Sequence, residues 1–142
     1  MRAITKLFVH FTGASAAQSV ESILNHWRNH NMWGSVPGYH ILVEPDGTAH
    51  RLYPDDKPTY GVAGHNKHSL HVCFIGDGAM TAAQEATIIK RLRYWTKLYP
   101  SAEVLGHRDV SPDLDRDGVV EPHEWVKRCP GFSVREWWAK VK

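Results

Sequence analysis

Two periodicities alternate along this chain, and that alternation narrows its fold more than any other feature. Residues 4–11, 39–43, 49–52, 70–75 and 103–106 gather β-branched, aromatic and aliphatic side chains over strand lengths. Elsewhere apolar residues recur at helical spacing: Ala16, Val20, Ile23, Leu24 and Trp27, then Ile88, Leu92, Trp95 and Tyr99, then Val134, Trp137, Trp138 and Val141. Ser15 is placed to cap the first helix. Thr81 with Gln84, and Ser133 with Glu136, have the capping-box spacing that opens the other two, and Pro100 stops the second. Pro45-Asp46-Gly47-Thr48 is a hairpin turn between the second and third strands. Leu70–Ile75 is apolar enough to be buried on both faces, as in a parallel sheet. The expected fold is therefore α/β: a single domain with a central mixed sheet of about five strands flanked by three main helices.

A chain of 142 residues can bury a core without covalent staples, and it contains no repeat or low-complexity tract. Its net charge of +2 is too mild to argue for nucleic acid, and no such partner is expected. That figure hides an asymmetry. Residues 113–124 hold five acidic side chains against Arg116, a local −4, so the remainder carries +6. A basic remainder suits a polyanionic partner such as a bacterial envelope polymer.

The N-terminus, Met1-Arg2-Ala3-Ile4-Thr5-Lys6, lacks the long apolar core and cleavage site of a secretory signal, and no stretch has transmembrane length. Synthesis in a cytoplasm without a signal peptide, and no stable membrane insertion, are expected. The tryptophan-bearing segment 135–142 is expected to close the core rather than lie on a membrane. Cys73 lies in an apolar run and reads as a buried, inert thiol rather than a disulfide partner of Cys129.

In α/β sheets ligands gather beyond the carboxyl ends of strands. His10 ends the first expected strand and His107 directly follows the last, so parallel strands would carry both to one rim. Cys129 lies in Lys127-Arg128-Cys129-Pro130-Gly131, where a sharp turn is expected. Imidazole and thiolate suit a borderline-soft ion such as zinc. Two imidazoles and one thiolate would leave zinc about +1 of charge and an open fourth position, the arrangement of catalytic sites. Such an ion acidifies a water towards a pKa of ~7. Each histidine taken alone reads more readily as a residue without a metal, since the chain has ten.

Six motifs follow one another along the chain: Phe8-Val9-His10, Gly38-Tyr39-His40, Asp46-Gly47-Thr48, His65-Asn66, Gly106-His107-Arg108-Asp109 and Lys127-Arg128-Cys129-Pro130. In that order they resemble the zinc-dependent N-acetylmuramoyl-L-alanine amidases of type 2, which include phage lysozymes of amidase type and peptidoglycan-recognition proteins. The resemblance implies His10, His107 and Cys129 as zinc ligands and places Tyr39 and Lys127 at the reaction centre. One of these two would stabilise the oxyanion and the other orient the water or relay a proton; Lys127 suits the first task and Tyr39 the second. His65 and Asn66 would line the substrate groove or stabilise its loop.

The implied reaction is hydrolysis of the amide between the muramic lactyl group and L-alanine. The implied protein is a phage or prophage endolysin, monomeric, acting on peptidoglycan or muropeptides once the membrane has been permeabilised. A cytosolic wall-recycling amidase and a non-catalytic peptidoglycan-binding module are the alternatives. The former is associated with aspartate as third ligand and the latter with loss of the cysteine, so Cys129 favours the endolysin. Strand alternation would turn His40 away from Tyr39 and out of the site. His26, His30, His50, His71 and His123 lack motif support and read as surface or satisfied core residues.

The acidic segment departs from the compact phage members and fits an EF-hand loop. Calcium would take side-chain oxygens from Asp113, Asp115, Asp117 and Glu124, the backbone oxygen of Val119, and Glu121 through water. Ser111-Pro112 stands where an entering helix would be, and an Asp-rich turn without metal is the other reading.

Overall fold

The computed structural model describes residues 2–13, 15, 17–30, 36–62, 64–110 and 129–142. Strands β1 (Lys6–Phe11), β2 (Ile41–Val43), β3 (Ala49–Arg51), β4 (Ser69–Phe74) and β5 (Glu103–Gly106) alternate with helices α1 (Val20–His30), α2 (Ala82–Leu98) and α3 (Val134–Val141). The strands form one mixed sheet in the order β3-β2-β4-β1-β5. β1 runs parallel to both β4 and β5, β2 runs parallel to β4, and β3 returns antiparallel to β2 through the expected hairpin. The α/β expectation of about five strands and three helices is met.

Side-chain alternation divides the sheet into two buried faces. On one, Leu7 and Val9 of β1, Ile41 and Val43 of β2, Leu70, Val72 and Phe74 of β4 and Val104 of β5 pack with Ile88, Leu92 and Trp95 of α2 and Val134 of α3. Trp137 and Trp138 close the edge of this cluster, half-buried, as expected for a core-facing last helix. On the other face Leu42, Cys73 and Ile75 meet Ile23 of α1, while Phe8 and Leu105 pack with Val62. Cys73 is fully buried, and among the described residues neither it nor Cys129 is in a disulfide.

Thr81 and Gln84 form the capping box of α2 reciprocally. Ser133 accepts the Glu136 N–H at the start of α3. The first helix differs from expectation. Ser15 accepts the N–H of Ala17 in a turn, whereas Ser19 accepts that of Ser22 and caps α1, which starts at Val20. Ala16 and the side chain of Trp27, expected on its apolar face, lie outside the described residues. β2 also starts later than expected, at Ile41, so Tyr39 and His40 precede the strand and escape its alternation.

Candidate active site

The parallel register brings the chain's ligand-type side chains to one rim. β1 presents Phe8 and His10 on the α1 face, and β5 ends at Gly106, so that His107 opens a 3-10 turn (His107–Val110) one residue beyond the sheet. The Gly106 N–H donates to the Asp109 carboxylate at 2.8 Å, which pins the turn. Cys129 arrives from the far end of the chain, and the Arg108 N–H donates to its carbonyl at 3.0 Å. Gly106 is required there: a Cβ would stand 2.7 Å from Pro130 Cδ and 3.1 Å from Val134 Cγ2.

His10, His107 and Cys129 thus converge, each offering one ligand atom, with all three atoms within 4.8 Å of one another. Cys129 Sγ lies 3.6 Å from His10 Nδ1, and the Phe11 N–H donates to the same sulfur at 3.2 Å. Burial, with His71 and His107 alongside, holds His10 in the neutral form that a metal takes. His10 and Cys129 are buried and His107 is half-buried, so the cluster meets solvent on the His107 side. Two nitrogens and one sulfur at this spacing can hold a borderline-soft cation with one position left open.

Tyr39 packs its ring 4.7 Å from that of His10. Burial, reinforced by Cys73 and Cys129, pushes its phenol well above the ordinary tyrosine value, so it remains a hydrogen-bond donor at neutral pH. A half-buried donor beside a ligand cluster is equipped for hydrolysis of a polarised carbonyl compound.

Residues 1–132 match the N-acetylmuramoyl-L-alanine amidase family. The chain belongs to that family. An uncharacterised protein of Haemophilus influenzae is 42% identical over 84 residues, which cover 54% of this amidase-family chain and 72% of the relative. The endolysin of Klebsiella phage KP32 is 27% identical over 145 residues, covering 96% of this chain and 86% of its own. That of Escherichia phage T7 is 26% identical over 143 residues, covering 94% and 85%. Among solved structures, the Ph2119 endolysin from a Thermus scotoductus bacteriophage shares the fold with a TM-score of 0.76 at 22% identity, over 99% of this chain and 84% of its own. The complex of peptidoglycan recognition proteins LCa and LCx with tracheal cytotoxin does so with a TM-score of 0.75 at 18% identity, over 99% and 83%.

The remaining expected site residues of this amidase-family chain divide into three groups. Lys127 and the acidic segment, with Asp113, Asp115, Asp117, Val119 and Glu124, lie outside the described residues. His65 sets its ring edge-on to Phe8, at 6.2 Å between centroids. Asn66 uses its side-chain oxygen to accept the Val62 N–H at 2.8 Å, the loop-stabilising arrangement.

Two histidines stand closer to the cluster than their sequence context suggests. His71 is fully buried, with Nδ1 2.9 Å from His10 Nε2, and its own Nε2 has no partner among the described residues. Of the two readings, surface or satisfied core residue, the structure places His71 in the core, with one ring nitrogen satisfied and the other without a partner among the described residues. His40 stacks on His71 with ring centroids 5.8 Å apart, accepts the His71 N–H at Nδ1 and binds the Lys57 carbonyl through Nε2. Alternation would have turned it away from Tyr39, but the strand does not reach back to either residue. The signal that points to His71 is its place in β4, opposite Phe8 and two residue pairs below His10.

Proposed function

We infer that the protein hydrolyses the amide joining the lactyl group of N-acetylmuramic acid to L-alanine in peptidoglycan. The convergence of His10, His107 and Cys129 at one rim of the sheet carries this reading. We assign these three as ligands of a zinc ion. When bound, zinc supplies a Lewis acid that polarises the amide carbonyl and acidifies water.

The chain's own groups do the rest. Tyr39, protonated beside His10, orients the water or relays its proton, and Lys127 stabilises the developing oxyanion; the tasks of the two are interchangeable on chemical grounds. The leaving amine of L-alanine must gain a proton, which either side chain can deliver. His65 borders the groove that receives the stem peptide, and Asn66 holds that border in shape. The endolysin relatives among phages support action as a phage or prophage endolysin that meets peptidoglycan after the membrane has been breached.

Digestion of purified muropeptides followed by mass spectrometry tests the bond assignment. Peptides released with a free N-terminal L-alanine are expected; sugars released with peptides still attached would refute it. We further propose that the acidic segment 113–124 binds calcium and steadies the approach to Lys127 and Cys129. Calcium should then raise the melting temperature of chelator-treated, zinc-reloaded protein, and an unchanged melting curve would remove it.

A further inference from the structure

His71 is a buried histidine that neither the sequence motifs nor the chemistry above employs. It is held on every side described. Phe8 of β1 stacks on its ring at 5.3 Å and 9°, and His40, just before β2, stacks at 5.8 Å and 3°. The backbone at Gly61 closes over the Nδ1 edge: a Cβ added at Gly61 would stand 2.5 Å from His71 Nδ1 and 2.7 Å from Cε1. This packing leaves Nδ1 aimed at His10 Nε2, 2.9 Å away.

The two nitrogens of a neutral imidazole are not equivalent, since one carries the proton and the other a lone pair. His10 turns Nδ1 towards Cys129 Sγ and Nε2 towards His71. A cation shared with Cys129 needs the lone pair at Nδ1, so the His10 proton must sit on Nε2, where it needs an acceptor. Only then does the geometry close. The reverse arrangement, with His71 donating to His10 Nε2, puts hydrogen on His10 Nδ1 and shuts the site to a cation.

We propose that His71 is a positioning residue for the metal centre, accepting the Nε2–H of His10 and so fixing the tautomer that presents Nδ1 to the ion. The proposal rests on the zinc reading above. Ligating histidines commonly donate their second N–H to a carboxylate, a carbonyl or water, and loss of that acceptor weakens metal binding. Here the acceptor is a neutral imidazole. It orients His10 without adding negative charge, so the ion keeps more of its acidity than it would beside a carboxylate. The arrangement leaves the His71 Nε2–H buried and without a partner among the described residues, a cost that a purely structural histidine at this position would have no reason to carry.

The test compares zinc affinity, by chelator competition, in the wild-type protein, His71→Leu and His71→Asn, with the melting temperature of each metal-free protein as folding control. Leucine removes the acceptor; the asparagine side-chain oxygen can occupy the place of Nδ1. Affinity should fall about 10–100-fold in His71→Leu and recover to within about threefold of wild type in His71→Asn. Equal affinity in wild type and His71→Leu would overturn the proposal and leave the zinc reading intact. Equal weakness in both variants would make His71 a packing residue only. Absence of zinc binding to the wild type would overturn both readings. Should His71→Leu fail to fold, nitrogen-15 NMR of zinc-loaded wild type decides: a proton on His10 Nε2 coupled to His71 Nδ1 is expected, and a proton on His71 Nδ1 would refute the proposal.

Discussion

Tyr39 and the ligand candidates are adjacent but have opposite protonation demands. His10 is held neutral by burial and by its histidine neighbours, whereas burial and two nearby thiols keep the Tyr39 phenol protonated. A neutral base can ligate and a neutral acid can donate, so the two environments assign different work to rings only 4.7 Å apart. Tyr39→Phe keeps the packing on His10 and removes only the hydroxyl. It should lower kcat on muropeptides by about 10²-fold or more while leaving KM and zinc affinity unchanged. Steady-state kinetics paired with chelator competition checks this, and a fall in zinc affinity with kcat intact would reduce Tyr39 to a wall of the site.

Among the elements, the first helix shows where local reasoning stops. Ser15 and Ser19 are equally good capping residues ahead of the same apolar pattern, and local sequence does not choose between them. The helix starts at Val20 because Ile23 must reach Leu42, Cys73 and Ile75 on the sheet, which leaves Ser15 in the segment between β1 and the helix. Ser19→Ala should therefore cost about 1 kcal/mol, a loss visible in the denaturant midpoint, and Ser15→Ala distinctly less. In the second helix, local sequence and tertiary contact agree on the start. Thr81 and Gln84 constrain each other locally, and the Gln84 amide also donates to the carbonyls of Val43 and Ile75, at 3.3 and 2.9 Å. Its cap thus coincides with its docking point.

At the scale of the molecule, the sheet buries a row of neutral histidines running from His40 through His71 to His10. Burial pushes His40 from 6.5 down to about 4. Above pH 6.5 folded and unfolded chains both hold this imidazole neutral and its contribution to stability is complete. As pH falls from 6.5 towards about 4 the unfolded chain takes up a proton that the folded one refuses, so stability declines. The decline from His40 amounts to about 3 kcal/mol across that window. Urea denaturation of metal-free protein from pH 7 to 4 should show it, and in His40→Asn the slope of stability against pH should be smaller by about one proton. Identical slopes would mean that His40 titrates freely in the fold.

The layered α/β architecture was legible in local pattern, and the meeting of His10, His107 and Cys129 in local pattern together with the motif resemblance. Strand and helix periods differ, and the carboxyl end of a strand is a definite place, so His10 and His107 could be set on one rim and Cys129 joined to them by motif. Alternation along β4 could also say that residue 71 shares a face with residue 73. It could not say which side chains stand opposite, because hydrogen-bond register is a relation between strands distant in the chain. Only the pairing of Phe8 with His71 and of His10 with Cys73 sets one histidine behind another. The late start of β2, which lets Tyr39 and His40 both turn inward, is likewise a consequence of packing. Side-chain identity supplied the chemistry of this centre, and the energy of packing a twisted mixed sheet chose which of ten histidines would share it.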